Sequence, residues 1–287
     1  MSFQKIPTVL TIGGFDNIGG AGIQADLKTI SELGCHGMNV LTALPVQNTV
    51  SVRSIHPIPS VIVKDQLLAV LEDIYPDVIK IGMIHTVENI MVIAELLKSF
   101  TGMIIIDPVL KSTSGTNLYE GDFRNALLEM LFPIANLVTP NLPEAYDLTE
   151  TTVTDDLSMI NNLGIQLLES GADAILIKGG HLASRILVSS LITSNADPIT
   201  YRTPKIETQN SRGTGCTLAA SIACYRAMGI PLDQAIRESM RYVDHRIRIS
   251  TEANLGKGNG CLLPSKSAST PKKKRTFTID PSSSSIN

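Results

Sequence analysis

Uninterrupted apolar runs recur from residue 8 to residue 178, each ending in a polar or glycine-containing turn. They are Thr8–Ile12, Asn39–Leu44, Asp77–Met83, Met103–Asp107, Asn136–Thr139 and Ala174–Lys178. Between them, Ile23–Leu33, Ser60–Ile74, Val87–Phe100, Phe123–Leu131 and Asp156–Ser170 read as helices; Ile23, Leu27, Ile30 and Leu33 form one such apolar stripe. Strands that are apolar without alternation are buried on both faces. They belong to parallel sheets covered by helices on each side. The expected fold class is α/β, a three-layer α/β/α sandwich with a mostly parallel central sheet.

The pattern changes after His181. Ile186–Thr193 and Ile199–Tyr201 read as a hairpin around Ser194–Pro198, and Leu232–Ile247 as a last amphipathic helix. Residues 1–264 are expected to form one domain. Residues 265–287, rich in Ser and Lys, have little to bury and read as a disordered tail; the basic run Lys272–Arg275 within it reads as solvated.

With 287 residues, 43% of them hydrophobic, the chain can build one large core or two small ones. A net charge of −3 gives no basic surplus for nucleic acid. Met1–Pro7 lack the layout of a signal peptide, and no apolar run reaches the length of a membrane span. Cys35, Cys216, Cys224 and Cys261 are too far apart for metal-ligand spacing and read as free thiols of a reducing compartment. A soluble cytoplasmic protein is expected, with no nucleic-acid or membrane partner.

In open parallel sheets, ligands sit at the carboxyl ends of the strands. Gly13-Gly14, Gln47-Asn48, Gly82-Met83, Asp107, Asn141 and Lys178-Gly179-Gly180 fall at those ends. A second signal is Gly213-Thr214-Gly215-Cys216, between an extended segment and a helix expected from about Cys216. Glycines there let N–H groups face a ligand, and the helix start adds unpaired N–H groups and a positive dipole end, a site suited to phosphate. Cys216 in that place is expected to have a lowered pKa. The same residues also describe a plain glycine-rich turn with a small core cysteine. Asn141, Glu144 and Asp107 supply hard oxygens for Mg²⁺, and Lys178 a cation for polyphosphate. Read alone, each acid also fits a helix cap or a solvated turn.

Other chemistries fit less well. Gly20-Ala-Gly-Ile-Gln-Ala25 matches a dinucleotide fingerprint, but lies seven residues beyond its strand, and no acid closes the second strand. There is no P-loop or hydrolase elbow, and no histidine pair at ligand spacing. His181 could touch a ligand or simply pack.

Seven stretches in order resemble the hydroxymethylpyrimidine/phosphomethylpyrimidine kinases of thiamine biosynthesis, which have the ribokinase-like fold. They begin at Gly19, Leu41, Lys80, Asp107, Thr139, Lys178 and Gly213, and the resemblance covers about residues 8–260. It implies ATP as co-substrate with Mg²⁺, and a small-molecule pyrimidine phosphorylated once and then again to the diphosphate. Gln47 would hydrogen-bond the aminopyrimidine, with Gly14, Asp16 and Met83 lining the same pocket. Thr139, Asn141 and Lys178 would meet the nucleotide, and Glu144 and Asp107 the metal. Gly213, Thr214 and Gly215 would form the anion hole, with Cys216 the base. Phe15, Ser211-Arg212 and Leu110–Thr113 depart from the pattern, and Arg212 would add charge near the phosphates. Kinases of this size often pair as homodimers, though one sequence identifies no surface for it. Rival readings are a pyridoxal or pyridoxine kinase and a non-catalytic pyrimidine sensor.

Overall fold

The computed structural model describes residues 5–112, 115–151, 157–179 and 185–264. The strands are β1 (Thr8–Gly14), β2 (His36–Gln47), β3 (Val52–Pro57), β4 (Val78–Ile81), β5 (Met103–Ile106), β6 (Leu137–Val138), β7 (Ala174–Ile177), β8 (Ile186–Thr193) and β9 (Ala196–Pro204). The helices are α1 (Gly22–Glu32), α2 (Ser60–Asp73), α3 (Val87–Leu97), α4 (Phe123–Ala126), α5 (Leu142–Thr149), α6 (Leu157–Leu168), α7 (Thr214–Ala227) and α8 (Leu232–Ser250). The strands make one nine-stranded sheet in the order β3-β2-β1-β4-β5-β6-β7-β8-β9. The stretch from β2 to β7 is parallel; β3, β8 and β9 run antiparallel to their neighbours.

Strand residues alternate between two cores. Leu10, Ile12, Ile79, Ile81, Ile104 and Ile106 pack with α2, α3 and α6. Val9, Val78, Ile105 and Leu176 pack with α1, α7 and α8. This is the three-layer sandwich the apolar runs predicted. Burial of each such aliphatic side chain contributes roughly 1.5–3 kcal/mol. Among the described residues no helix is long and apolar enough to cross a membrane.

Four segments differ from the sequence reading. β2 runs on to Gln47 and folds back as β3, turning where Asn48 Oδ1 accepts the Val50 and Ser51 amides. The mostly polar, half-exposed sequence of β3 carries no apolar run to reveal it. α5 was also unpredicted; it starts at a capping box in which Asn141 and Glu144 each accept the other's backbone N–H. The helix predicted over Phe123–Leu131 is α4 followed by a π-helical turn, Leu127–Leu131, and a 3₁₀ turn, Phe132–Ile134, that contains Pro133. The hairpin turn is shorter than predicted, because β9 begins at Ala196. The tail expected over residues 265–287, and the candidate ligand residues Gly180 and His181, lie outside the described residues.

One position breaks the apolar pattern. Lys80 lies in β4 on the face toward α1, where Val78 is apolar, and is 1% exposed. Its Nζ donates to Asp26 Oδ2 of α1 at 2.8 Å, and Thr11 Oγ1 donates to the same oxygen at 2.6 Å. Removing one partner strands a buried charge. Asp26→Ala is therefore expected to cost about 3–5 kcal/mol in urea unfolding, whereas Asp26→Leu/Lys80→Met should stay near wild-type stability. Equal losses in both variants would mean that the pair does not act as a unit.

Candidate active site

β1 lies between β2 and β4, so strand addition switches direction there, and a crevice opens at the carboxyl ends of β1 and β4. The crevice is one cavity of about 810 Å³. Gly14, Asp16, Gln47, Met83, Asp107, Asn141, Glu144 and Lys178 all line it, as do Gly213 through Cys216. Residues widely separated along the chain thus meet at one edge of the sheet.

One wall comes from β1, β2 and β4. Gly14 faces Met83 so closely that a Cβ on it would stand 2.9 Å from the Met83 sulfur. Asp16, 2% exposed, is the hub of this wall. Its Oδ2 accepts the Gly20 and Ala21 amides at 2.9 and 2.8 Å, and its Oδ1 accepts Gln47 Nε2 at 2.9 Å. Arg212 reaches both oxygens at 3.4 Å through Nε and Nη2. Arg212 lines the cavity beside Gly213, and its guanidinium is paired with Asp16. The Gly20 and Ala21 amides at the start of α1, where a dinucleotide phosphate would bind, are occupied by this carboxylate.

The other wall comes from β5, α5 and β7. Lys178 Nζ donates to Asp107 Oδ1 at 2.6 Å. Burial opposes ionisation of Asp107, but the Lys178 and Lys80 ammonium groups outweigh it and hold its carboxyl below the usual range. Thr139 is fully buried and does not line the cavity; its hydroxyl donates to Asp107 Oδ1 at 3.1 Å. Thr139, expected to meet the nucleotide, thus reaches the cavity only through Asp107. Asn141 and Glu144 cap α5 and still face the cavity. Burial pushes the Glu144 carboxyl up to about 7; Lys178 pulls against this and Asp107 adds to it. Among the described residues no three His, Cys, Asp or Glu side chains cluster as a metal cage. Asp107 and Glu144 are nonetheless the hard-oxygen pair that suits Mg²⁺ carried in with a polyphosphate, an ion that keeps waters and uses one or two carboxylates.

The start of α7 joins the two walls. The helix begins at Thr214, two residues earlier than predicted, with Gly213 as its N-cap at φ 82°. The Thr214 amide donates to the Ser211 carbonyl at 3.3 Å, and the Thr217 amide to the Gly213 carbonyl. The Gly215 and Cys216 amides make no backbone hydrogen bond among the described residues. A Cβ on Gly215 would stand 3.3 Å from Lys178 Nζ and 3.6 Å from Asp107 Oδ2, so this helix start faces the ion pair.

Cys216 does not have the lowered pKa that a helix start suggests. Burial pushes its thiol up to about 11; Lys80 and the Gly22 N–H draw it down, while Asp26 and Asp107 push it up. Desolvation and two carboxylates outweigh one helix end. Lys80 and Asp26 line the cavity beneath this point and were not recognised as site residues from the sequence. The available signal was a lysine inside an apolar strand. Leu187, Pro204, Ile206, Met240, Val243 and Ile247 give the cavity an apolar side.

A parallel sheet with ligand groups at its carboxyl edge, an anion-binding helix start and a lysine–carboxylate pair defines a small-molecule kinase of ribokinase-like architecture. Residues 16–262 match the model of the phosphomethylpyrimidine kinase family, and the chain belongs to that family. It is 39% identical over 251 residues to the hydroxymethylpyrimidine/phosphomethylpyrimidine kinase of Rhizobium meliloti, covering 88% of this chain and 94% of that one. It is 44% identical over 254 residues to the thiamine biosynthesis bifunctional protein of Geobacter sulfurreducens, spanning 88% of this chain but only 51% of that longer protein. The solved phosphomethylpyrimidine kinase of Clostridium difficile superposes with a TM-score of 0.74 at 37% identity, covering 85% of this chain and 100% of that one. The Staphylococcus aureus pyridoxal kinase, solved with AMP-PCP and pyridoxal, gives 0.83 at 28%, covering 91% and 94%.

The start of α7 depends on Gly213. Its φ of 82° favours glycine, and a Cβ would collide with the Gly20 carbonyl oxygen at 1.9 Å. Gly229 has a φ of 81° with nothing nearby, so Gly229→Ala isolates the backbone strain alone. Gly213→Ala is expected to lower the thermal midpoint clearly more than Gly229→Ala, which should cost about 1 kcal/mol. Equal losses would show that the Gly20 contact is not tight.

Proposed function

We propose that the protein transfers the γ-phosphoryl group of ATP to the hydroxymethyl group of 4-amino-5-hydroxymethyl-2-methylpyrimidine, and then phosphorylates the product again, in the cytoplasmic synthesis of thiamine diphosphate. The observation that carries this reading is the convergence of Gln47, the unpaired Gly215 and Cys216 amides, and the Lys178–Asp107 pair on one cavity. The identity to phosphomethylpyrimidine kinases supports it.

The roles follow from placement. Gln47, held by Asp16, meets the aminopyrimidine, and Gly14 and Met83 form the wall against its ring. Gly13-Gly14 keeps that wall free of side chains. The apolar side of the cavity suits the purine, and Lys178 and Asn141 meet the phosphates. Asp107 and Glu144 would hold Mg²⁺, which when bound supplies charge neutralisation for the phosphates.

In the transfer, the hydroxymethyl oxygen forms a bond to the γ-phosphorus and the bond from that phosphorus to ADP breaks. The Gly213–Cys216 amides take up the charge on the migrating group. Such transfers rest on positioning and electrostatic stabilisation, so preformed N–H donors are the main contribution of the chain. The hydroxyl proton passes to the thiolate form of Cys216, which becomes the thiol. With a thiol pKa of about 11, the thiolate is scarce at neutral pH and grows with each pH unit.

Product mass after incubation with ATP, Mg²⁺ and the aminopyrimidine alcohol tests the reading: successive gain of two phosphoryl groups is expected, and no gain contradicts it. Gln47→Ala should raise KM for the alcohol roughly tenfold or more, the cost of one lost hydrogen bond to the ring. Cys216→Ala should lower kcat with little change in KM. Wild-type kcat should rise with pH toward 11 and the Cys216→Ala profile should be flat; parallel profiles would make the cysteine a packing residue.

A further inference from the structure

Arg212 is 5% exposed, and two of its nitrogens are spent on Asp16. The C-terminal segment clamps it from behind. The Arg212 amide donates to the Gly260 carbonyl at 3.1 Å, Arg212 bridges to Cys261, and the Cys261 side chain packs against Gly20. A guanidinium held this way offers a fixed fork to a carboxylate. Facing the fork, the Asp16 oxygens accept from Gly20, Ala21, Ile18 and Gln47. A carboxylate in this position only accepts, so the neighbouring amide must turn its Nε2 toward it. The Gln47 backbone is pinned as well, because Asn17 Nδ2 donates to its carbonyl and Asn17 Oδ1 accepts its N–H.

One consequence concerns what faces the substrate. With Nε2 turned to Asp16, Gln47 Oε1 has no partner among the described residues and is free to accept from a ligand. An acceptor there matches an exocyclic amine beside a ring nitrogen. An alcohol group, which both donates and accepts, would fit either orientation of the amide, so fixing the amide matters most for a substrate that presents an amine there.

We infer that Arg212 is a positioning residue for substrate binding: through Asp16 it fixes the Gln47 amide so that its oxygen meets the substrate, and loss of that orientation penalises an amine-bearing ring more than one bearing an alcohol. This rests on the aminopyrimidine reading above. Arg212 touches no reacting atom, and its charge is directed at Asp16 rather than at the phosphates.

The test compares wild type, Arg212→Met, Arg212→Lys and Asp16→Asn, with KM and kcat for the aminopyrimidine alcohol, pyridoxine and ATP, and thermal unfolding of each. Arg212→Met is expected to raise KM for the aminopyrimidine alcohol about 10- to 100-fold, the loss from mispairing one buried hydrogen-bonding group, with kcat and KM for ATP little changed. Arg212→Lys keeps the charge without the fork and should fall between. Asp16→Asn keeps the shape but supplies a donor, lets the Gln47 amide turn, and should likewise reduce preference for the aminopyrimidine over pyridoxine. A rise in KM for ATP with the alcohol KM unchanged would place Arg212 on the phosphates and overturn the inference. So would unchanged selectivity in folded Arg212→Met and Asp16→Asn. Wild-type preference is read separately: a wild type that phosphorylates only pyridoxine overturns the substrate reading, and the Arg212 role then predicts the same split between KM and kcat on pyridoxine.

Discussion

Two backbone N–H groups, on Gly215 and Cys216, belong to residues that line the cavity and, at this helix start, have no partner among the described residues. Both residues are half-buried, so the amides are open to an incoming acceptor. Much of the surrounding structure keeps them open and in place. Gly213 sits against the Gly20 carbonyl with no room for a Cβ, which seats α7 on the loop before α1. The switch between β1 and β4 provides the crevice, and Lys80 and Lys178 bring positive charge beneath and beside it.

Each of those lysines is already paired, Lys80 with Asp26 and Lys178 with Asp107. Their charge is therefore held in place without leaving the empty cavity strongly positive. Burial would discharge Lys80, yet Asp26, Cys216 and Asp107 keep its ammonium above its ordinary value. Carboxylates and lysines alternate through the site; at Cys216, Lys80 draws the thiol down while Asp26 and Asp107 add to the larger effect of burial and keep it raised.

The layers and the position of the site were legible in the sequence because both follow from local pattern: apolar runs give parallel strands, and glycines and acids at their ends give ligand groups. What was not legible depended on contacts across the chain. β3 and α5 lack apolar periodicity and owe their form to a turn at Asn48 and a cap at Asn141. Thr139 pairs with Asp107 and Arg212 with Asp16, and neither pairing has a sequence spacing that announces it. The Cys216 pKa turned on desolvation, which no motif encodes. The solved relatives show the same division. Backbone similarity is greater to a pyridoxal kinase, TM-score 0.83, while identity is greater to a phosphomethylpyrimidine kinase, 37%. The frame is shared between the two kinds of kinase.

The account is tested most directly at the two amides themselves. ¹⁵N–¹H resonances of Gly215 and Cys216 would be followed while ADP, Mg²⁺, aluminium fluoride and the pyrimidine alcohol are added together as a mimic of the migrating phosphoryl group. Both amide protons should move downfield, as they gain an anionic acceptor, while the Thr214 amide, already bonded to the Ser211 carbonyl, moves less. Resonances of Gly215 and Cys216 that stay in place while the mimic binds would contradict the central claim.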